Sequence, residues 1–132
     1  MRNDRSDAEM LLRIAREDCE AFLLLAQGSD SLRRQTLFHA QQATEKALKA
    51  VLAIHGVAIR RTHDFEELYG AVESAGLVCP LALDELVQLT PYAAMFRYDD
   101  TDIPKLDVAV ARLITSRMLE WATAEIEGRL QP

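Results

Sequence analysis

The stretch Leu37-Phe-His-Ala-Gln-Gln-Ala-Thr-Glu-Lys-Ala-Leu-Lys-Ala-Val51 decides how the rest of the chain is read. At roughly 100° per residue it divides into two arcs of a helix. Leu37, Ala40, Ala43, Thr44, Ala47, Leu48, Ala50, Val51 and Ile54 fall in one arc, and its many alanines allow neighbouring helices to come close. Phe38, His39, Gln41, Gln42, Glu45, Lys46 and Lys49 fill the other. An acid, two amides, a histidine and two lysines on one face make either a solvated surface or a site, and solvation is the commoner fate of such a face.

Outward from this helix the same period recurs. Ala8, Leu11, Leu12, Ala15, Cys19, Phe22, Leu23 and Ala26 mark a first helix from Ser6 to Ala26, with Ser6 and Glu9 spaced as a capping box and Gly28 as its stop. Ser29-Asp-Ser31 supplies capping oxygens for the central helix, which ends at Gly56. A connector over Val57–Thr62 leads to a third helix, His63 to Ala75, capped by Thr62 or Asp64 and ended by Gly76, with Leu68, Tyr69 and Val72 inward. A fourth follows Pro80 with Leu83, Leu86, Val87 and Leu89, and Pro91 disturbs it for want of a donor. An acidic loop with Asp99, Asp100 and Asp102 precedes a last helix. Pro104 falls near its first turn, Leu106, Val110, Leu113, Ile114, Met118 and Trp121 form its stripe, and Gly128 ends it. The expectation is one all-α domain over 1–132, an antiparallel up-down bundle of about five helices.

Bulk properties bound the function. The chain has 132 residues, 49% hydrophobic and 27% charged, which is enough for a real core in an ordinary globular protein. A formal net charge of −6 argues against a protein that coats duplex DNA, though not against a local phosphate site. Cys19 and Cys79 have neither metal-type nor disulfide-framework spacing and read as free thiols. No run reaches a membrane span and the N-terminus does not read as a signal peptide, so the expectation is a cytoplasmic protein. Phosphate loops, paired metal ligands and nucleophile elbows are absent, so no cofactor, metal site or catalytic residue is assigned.

Two further polar patches stand out. Arg60-Arg-Thr-His-Asp64 puts guanidinium groups before a helix start, where free amides and arginine forks suit a phosphate, against the plainer reading of a local cap. Tyr92-Ala-Ala-Met-Phe-Arg-Tyr98 sets one arginine among aromatic rings, suited to a base or phosphate, or simply to an ion pair with the acidic loop.

Phe-His-Ala-Gln-Gln-Ala-Thr-Glu-Lys-Ala-Leu-Lys-Ala over 38–50, Arg-Thr-His-Asp over 61–64, Tyr92 and Arg97-Tyr98 together resemble the HEPN (higher eukaryote and prokaryote nucleotide-binding) domain, over nearly the whole chain. The resemblance implies a helical bundle that commonly forms homodimers. In bacteria and archaea it also implies a minimal nucleotidyltransferase encoded alongside, as the other half of a two-component, frequently toxin–antitoxin, system. Many members are ribonucleases with an Arg, four to six residues, then a His on a late helix. Here Tyr-Asp-Asp-Thr-Asp-Ile follows Arg97 and no histidine follows His63, while the Arg34–His39 spacing lies on an early helix and reads as chance. The expectation is therefore binding of a nucleotide or nucleotidylated group rather than catalysis. Lys46, Lys49, Arg61 and Arg97 would hold phosphate, Gln42 and Glu45 would give directional bonds, and Asp64 belongs to the same nucleotide-binding set. His39 or His63 would be a pH-sensitive donor, and Tyr98 would stack on a base or accept a nucleotidyl group. The alternatives are a ribonuclease toxin using Arg97 with His39 or His63, and a non-catalytic subunit docking through Gln42, Glu45 and Lys46.

Overall fold

The structure is a computed structural model that describes residues 4–59, 61–94 and 105–130. Among these residues there are five α-helices and no strand, the all-α bundle that the periodicity predicts. None of the helices is long and apolar enough to cross a membrane, among the described residues.

Helix α1 spans Asp4–Ala26 and buries Ala8, Leu12, Ala15 and Phe22, a stripe at three-, four- and seven-residue steps. It is already helical at Asp4, so Ser6 lies inside the first turn and is not its cap. The Gly28 amide closes the turn by donating to Leu25 O at 2.9 Å. Ser29 Oγ then accepts from Ser31 N, capping a 3-10 turn over Asp30–Leu32 instead of the central helix itself.

Helix α2, Arg33–Ile54, is the axle of the bundle, with α1, α3, α5 and the turn at Thr90–Tyr92 packed around it. Ala40, Ala43, Ala47 and Ala50 are completely buried, so little side-chain bulk holds neighbouring helices away from its backbone. The buried Thr36 and Thr44 hydroxyls return to the helix, donating to Leu32 O at 2.8 Å and Ala40 O at 2.9 Å. Its end is a Schellman motif. Gly56 has φ +72°, its N–H donates to Ala53 O, and Val57 N donates to Leu52 O at 2.9 Å. Gly76 repeats this device after α3, with φ +77° and Leu77 N donating to Val72 O at 3.1 Å.

Helix α3 spans Phe65–Ser74, two residues later than the sequence reading places its start. Both candidate caps are used: Asp64 accepts from Glu66 N at 2.9 Å, and Thr62 Oγ1 accepts from Asp64 N at 3.1 Å. Leu68 and Val72 are buried and Tyr69 is half-buried. Helix α4 is short, Leu83–Val87, and Leu89 follows it into the core. Pro91 then falls in the first positions of a 3-10 turn, Thr90–Tyr92, where its missing donor costs nothing.

Helix α5, Val108–Leu130, has Asp107 as its cap, whose Oδ1 accepts from Ala109 N at 2.8 Å. It runs beside α1 and α2 with its C-terminal part at the C-terminal end of α2, where His55 Nε2 lies 2.9 Å from Glu125. Arg16 ties α1 to Thr123 and Glu127. Two expectations fail here. Gly128 does not end the helix, which continues to Leu130. Val110 and Leu113 are exposed, at 39% and 58%, because the buried stripe is Ala111, Ile114, Thr115, Met118, Ala122 and Ile126, one position further on. Small residues at the right spacing take the core face over large ones at the wrong spacing. Cys19 and Cys79 are free, partly buried thiols, and burial pushes both up from the ordinary thiol value. The readings made for Arg60, Arg97, Tyr98, the acidic loop and Pro104 lie outside the described residues.

Candidate functional site

The polar arc of α2 is not a solvated surface. Gln41 and Glu45 are completely buried, and Gln42, Lys46 and Lys49 are half-buried. An isolated carboxylate at this depth would be prohibitively costly, so its partners decide whether it can stay. Gln41 Nε2 donates to Glu45 Oε1 at 3.0 Å. Lys49 Nζ and Lys46 Nζ lie 3.0 and 3.3 Å from Oε2. His63 Nδ1, arriving from the connector, is 2.8 Å from the same oxygen. The circuit closes through Gln42, which donates to Gln41 Oε1 at 2.6 Å and accepts from Lys46 at 3.3 Å. Side chains one turn apart on one helix thus satisfy each other's remaining valences, and the connector supplies the last donor.

The charge balance at Glu45 follows. Burial alone would raise its pKa. Hydrogen bonds from His63, Gln41 and Lys49, with the charge of Lys46, outweigh that and hold the carboxyl below its ordinary value. A carboxylate lowered in the folded state adds stability that is fully present above the ordinary value of 4.5 and is lost as pH falls through the lower folded one. The thermal midpoint of the native chain should therefore drop more steeply on acidification below 4.5 than that of Glu45→Gln. Equal pH slopes for the two would show that Glu45 is not the group that titrates.

Next to this cluster is a cleft of about 400 Å³, between the first half of α1, the C-terminal half of α2 and the connector. Met10, Leu11, Ala53, Val57 and Ile59 form an apolar lining, and Lys49 and Arg61 bring positive charge, with Asp7 as the only acid lining it among the described residues. Its volume is within the usual range for small-ligand sites. Arg61 is exposed. Lys49 both lines the cleft and bonds Glu45, so the buried carboxylate fixes one of the two cations.

Of the residues singled out from the sequence, Gln42, Glu45, Lys46, Lys49 and His63 come together, and Arg61 lines the same cleft as Lys49. His39 turns to α1, where Nδ1 is 3.0 Å from Asp18, and it makes no bond to the cluster among the described residues. Asp64 serves as the α3 cap. Sequence reasoning left Gln41 out of the site, although its i, i+4 spacing to Glu45 is the signal of an amide–carboxylate pair. The α1 wall of the cleft, with Asp7 and Met10, carries no signal at all in the sequence.

A helical bundle whose central helix carries a buried carboxylate beneath a cationic face is the class of protein these observations define. The HEPN domain family model matches residues 8–126, and the chain belongs to that family. Comparison with curated proteins and with solved structures gives no match.

Proposed function

We propose that the chain binds a nucleotide, or a nucleotidylated group, in the cleft between α1, α2 and the connector. The observation that carries this is the placement of Lys49 and Arg61 in one mixed cleft of about 400 Å³, with Lys49 fixed by a fully buried carboxylate. Phosphate oxygens take up the lysine and guanidinium donors, and a base lies on the apolar lining. Family membership supports the rest of the reading: a homodimer working with a minimal nucleotidyltransferase in a two-component system of toxin–antitoxin type. Calorimetric titration with ATP should give a binding heat that Arg61→Gln weakens about tenfold, the worth of one charge-assisted hydrogen bond. Arg61 is the cleaner probe because Lys49→Gln would also disturb Glu45. No heat for the native chain, with and without magnesium, would end this reading.

The Glu45–His63 contact favours a second reading, metal-independent RNA cleavage. A buried carboxylate on Nδ1 fixes the imidazole of His63, which is 68% exposed, with Nε2 free to exchange a proton with a 2′-hydroxyl. His63 is preferred to His39 in this role because both imidazoles rest on a carboxylate through Nδ1, but only 24% of the His39 side chain is exposed to an incoming RNA. RNA left intact by purified protein in the presence of a chelator counts against it.

A further inference from the structure

The charge of the chain is concentrated in one part of it. From Thr62 to Tyr92 there are six acids, Asp64, Glu66, Glu67, Glu73, Asp84 and Glu85, and no lysine or arginine. The other fifteen acids are matched by the fifteen bases, so this stretch carries the whole formal net charge of −6. It comprises α3 and α4, which pack on one another, and the turn between them.

Helix geometry explains most of these positions but not all. Asp64 caps α3, and Glu66 and Glu67 lie in its first turn. Asp84 and Glu85 lie in the first turn of α4, where Glu85 also accepts from Ala82 N at 3.2 Å. The helix dipole favours carboxylates there, and it equally favours bases in a last turn. Neither helix has such a base. Glu73 runs against the dipole, an exposed carboxylate in the last turn of α3. Together with Asp84 and Glu85 it surrounds the half-buried Tyr69. Burial first, then the charges of Cys79, Glu73, Asp84 and Glu85, push the Tyr69 phenol above its ordinary value. These carboxylates do not converge on an ion, since no group of acids, histidines and cysteines is placed to hold a metal among the described residues. In the turn beside them Val78 is 84% exposed, the most of any large apolar side chain among the described residues, and Leu77 is half-buried.

Partly exposed apolar side chains with a rim of one charge sign have the anatomy of a docking surface, and the sign selects the partner. We propose that the α3–α4 face docks a partner protein through a basic segment. Lysines or arginines of that segment meet Glu73, Asp84 and Glu85, and an apolar side chain covers Val78 and Tyr69. Phosphate-bearing ligands are repelled from this face.

The test is fluorescence anisotropy of a labelled Lys–Leu amphipathic peptide, titrated with the full chain at about 0.15 M salt, where charges beyond about 8 Å are screened. The peptide should bind, and a Glu–Leu peptide of the same length should not. A Lys–Ser peptide of the same charge should bind about tenfold more weakly, for want of apolar side chains to bury. Glu73→Gln with Asp84→Asn and Glu85→Gln should weaken the Lys–Leu peptide about tenfold, as three surface pairs lost together. It should also flatten the salt dependence, whereas Val78→Ser should weaken binding and keep that dependence. Glu85→Gln retains the oxygen that accepts from Ala82 N, so circular dichroism should stay native. The control removes the same charge elsewhere: Glu17→Gln with Glu20→Gln and Glu120→Gln, exposed on α1 and α5, should leave affinity within about twofold. The proposal is overturned if the Lys–Leu peptide does not bind, or if the Lys–Ser peptide binds as tightly. It is equally overturned if the control loses as much as the variant of the face, because net charge alone then attracts the peptide.

Discussion

Glu45→Ala should lower the unfolding free energy by about 3 kcal/mol, the low end of the range for breaking a buried ion pair by removing one partner. The low end applies because the orphaned cations are not all trapped. Lys46 and Lys49 keep 19% and 14% of their side-chain surface and His63 keeps 68%, so each can turn its charge toward water. Gln41 cannot, being completely buried, and the lost methylene and carboxyl volume adds a cavity term. Glu45→Gln should cost less, about 1–2 kcal/mol. It retains the shape, but its new amide donors face a circuit with a fixed direction, from Lys46 through Gln42 and Gln41 to Glu45. Reversing Gln41 to accept from the new amide would set its own donors against those of Gln42. Guanidinium unfolding followed by circular dichroism, with the slope unchanged, measures both losses. A loss below about 1 kcal/mol for Glu45→Ala would mean that the carboxylate contributes no more than an exposed ion pair.

The burial of Glu45 shows where sequence reading stops. Period and spacing place α2 and its alanine arc correctly, because apolar side chains repeat at the helical step whatever surrounds them. A polar arc has no such signature: Gln41 and Glu45 at i, i+4 look the same on a wet face and on a buried one. The cover comes from segments distant in sequence, including the connector that brings His63 to Oε2. Glycine signals were read well where a left-handed residue ends the helix, at Gly56 and Gly76, and badly at Gly128, where no such turn forms and α5 simply continues. For the site, the motifs over 38–50 and 61–64 pointed to Lys46, Lys49, Arg61 and His63 through their family resemblance, since residue types alone fit a solvated face and a local cap equally well. They could not point to Asp7, Met10 or Leu11, since ordinary helix residues become a cleft wall only once α1 packs against α2. All three histidines of the chain prove to be paired with carboxylates: His39 with Asp18, His55 with Glu125 and His63 with Glu45. Each pair ties α2 to a different neighbour, which is a property of the packed bundle and not of any local motif.

The connector that carries Arg61 and His63 is held from both sides, so a core substitution should reach the cleft. Phe65 is the first residue of α3 and 1% exposed. Its removal in Phe65→Ala should cost about 3–5 kcal/mol, through lost apolar burial and a cavity that helix packing only partly closes. Thr62 and Asp64 hold the preceding turn by side-chain caps on Asp64 N and Glu66 N, but both bonds are local and leave the turn free to move as a unit. Phe65 is the large apolar side chain that anchors that unit in the core, beside the buried Thr62 and the His63–Glu45 contact. Without it the 2.8 Å contact of His63 with Glu45 should loosen and Arg61 should lose its place in the cleft lining. ATP affinity should then fall several-fold even where the chain is fully folded, a misplacement effect of the kind that reaches ligand geometry from outside a site. Leu86→Ala is the control, a core truncation on α4 of similar energetic class that leaves the connector alone. Both variants should unfold at lower denaturant, and only Phe65→Ala should weaken binding. If the two lose affinity equally once folding is complete, the polar cluster alone positions the connector, and the apolar anchor serves stability only.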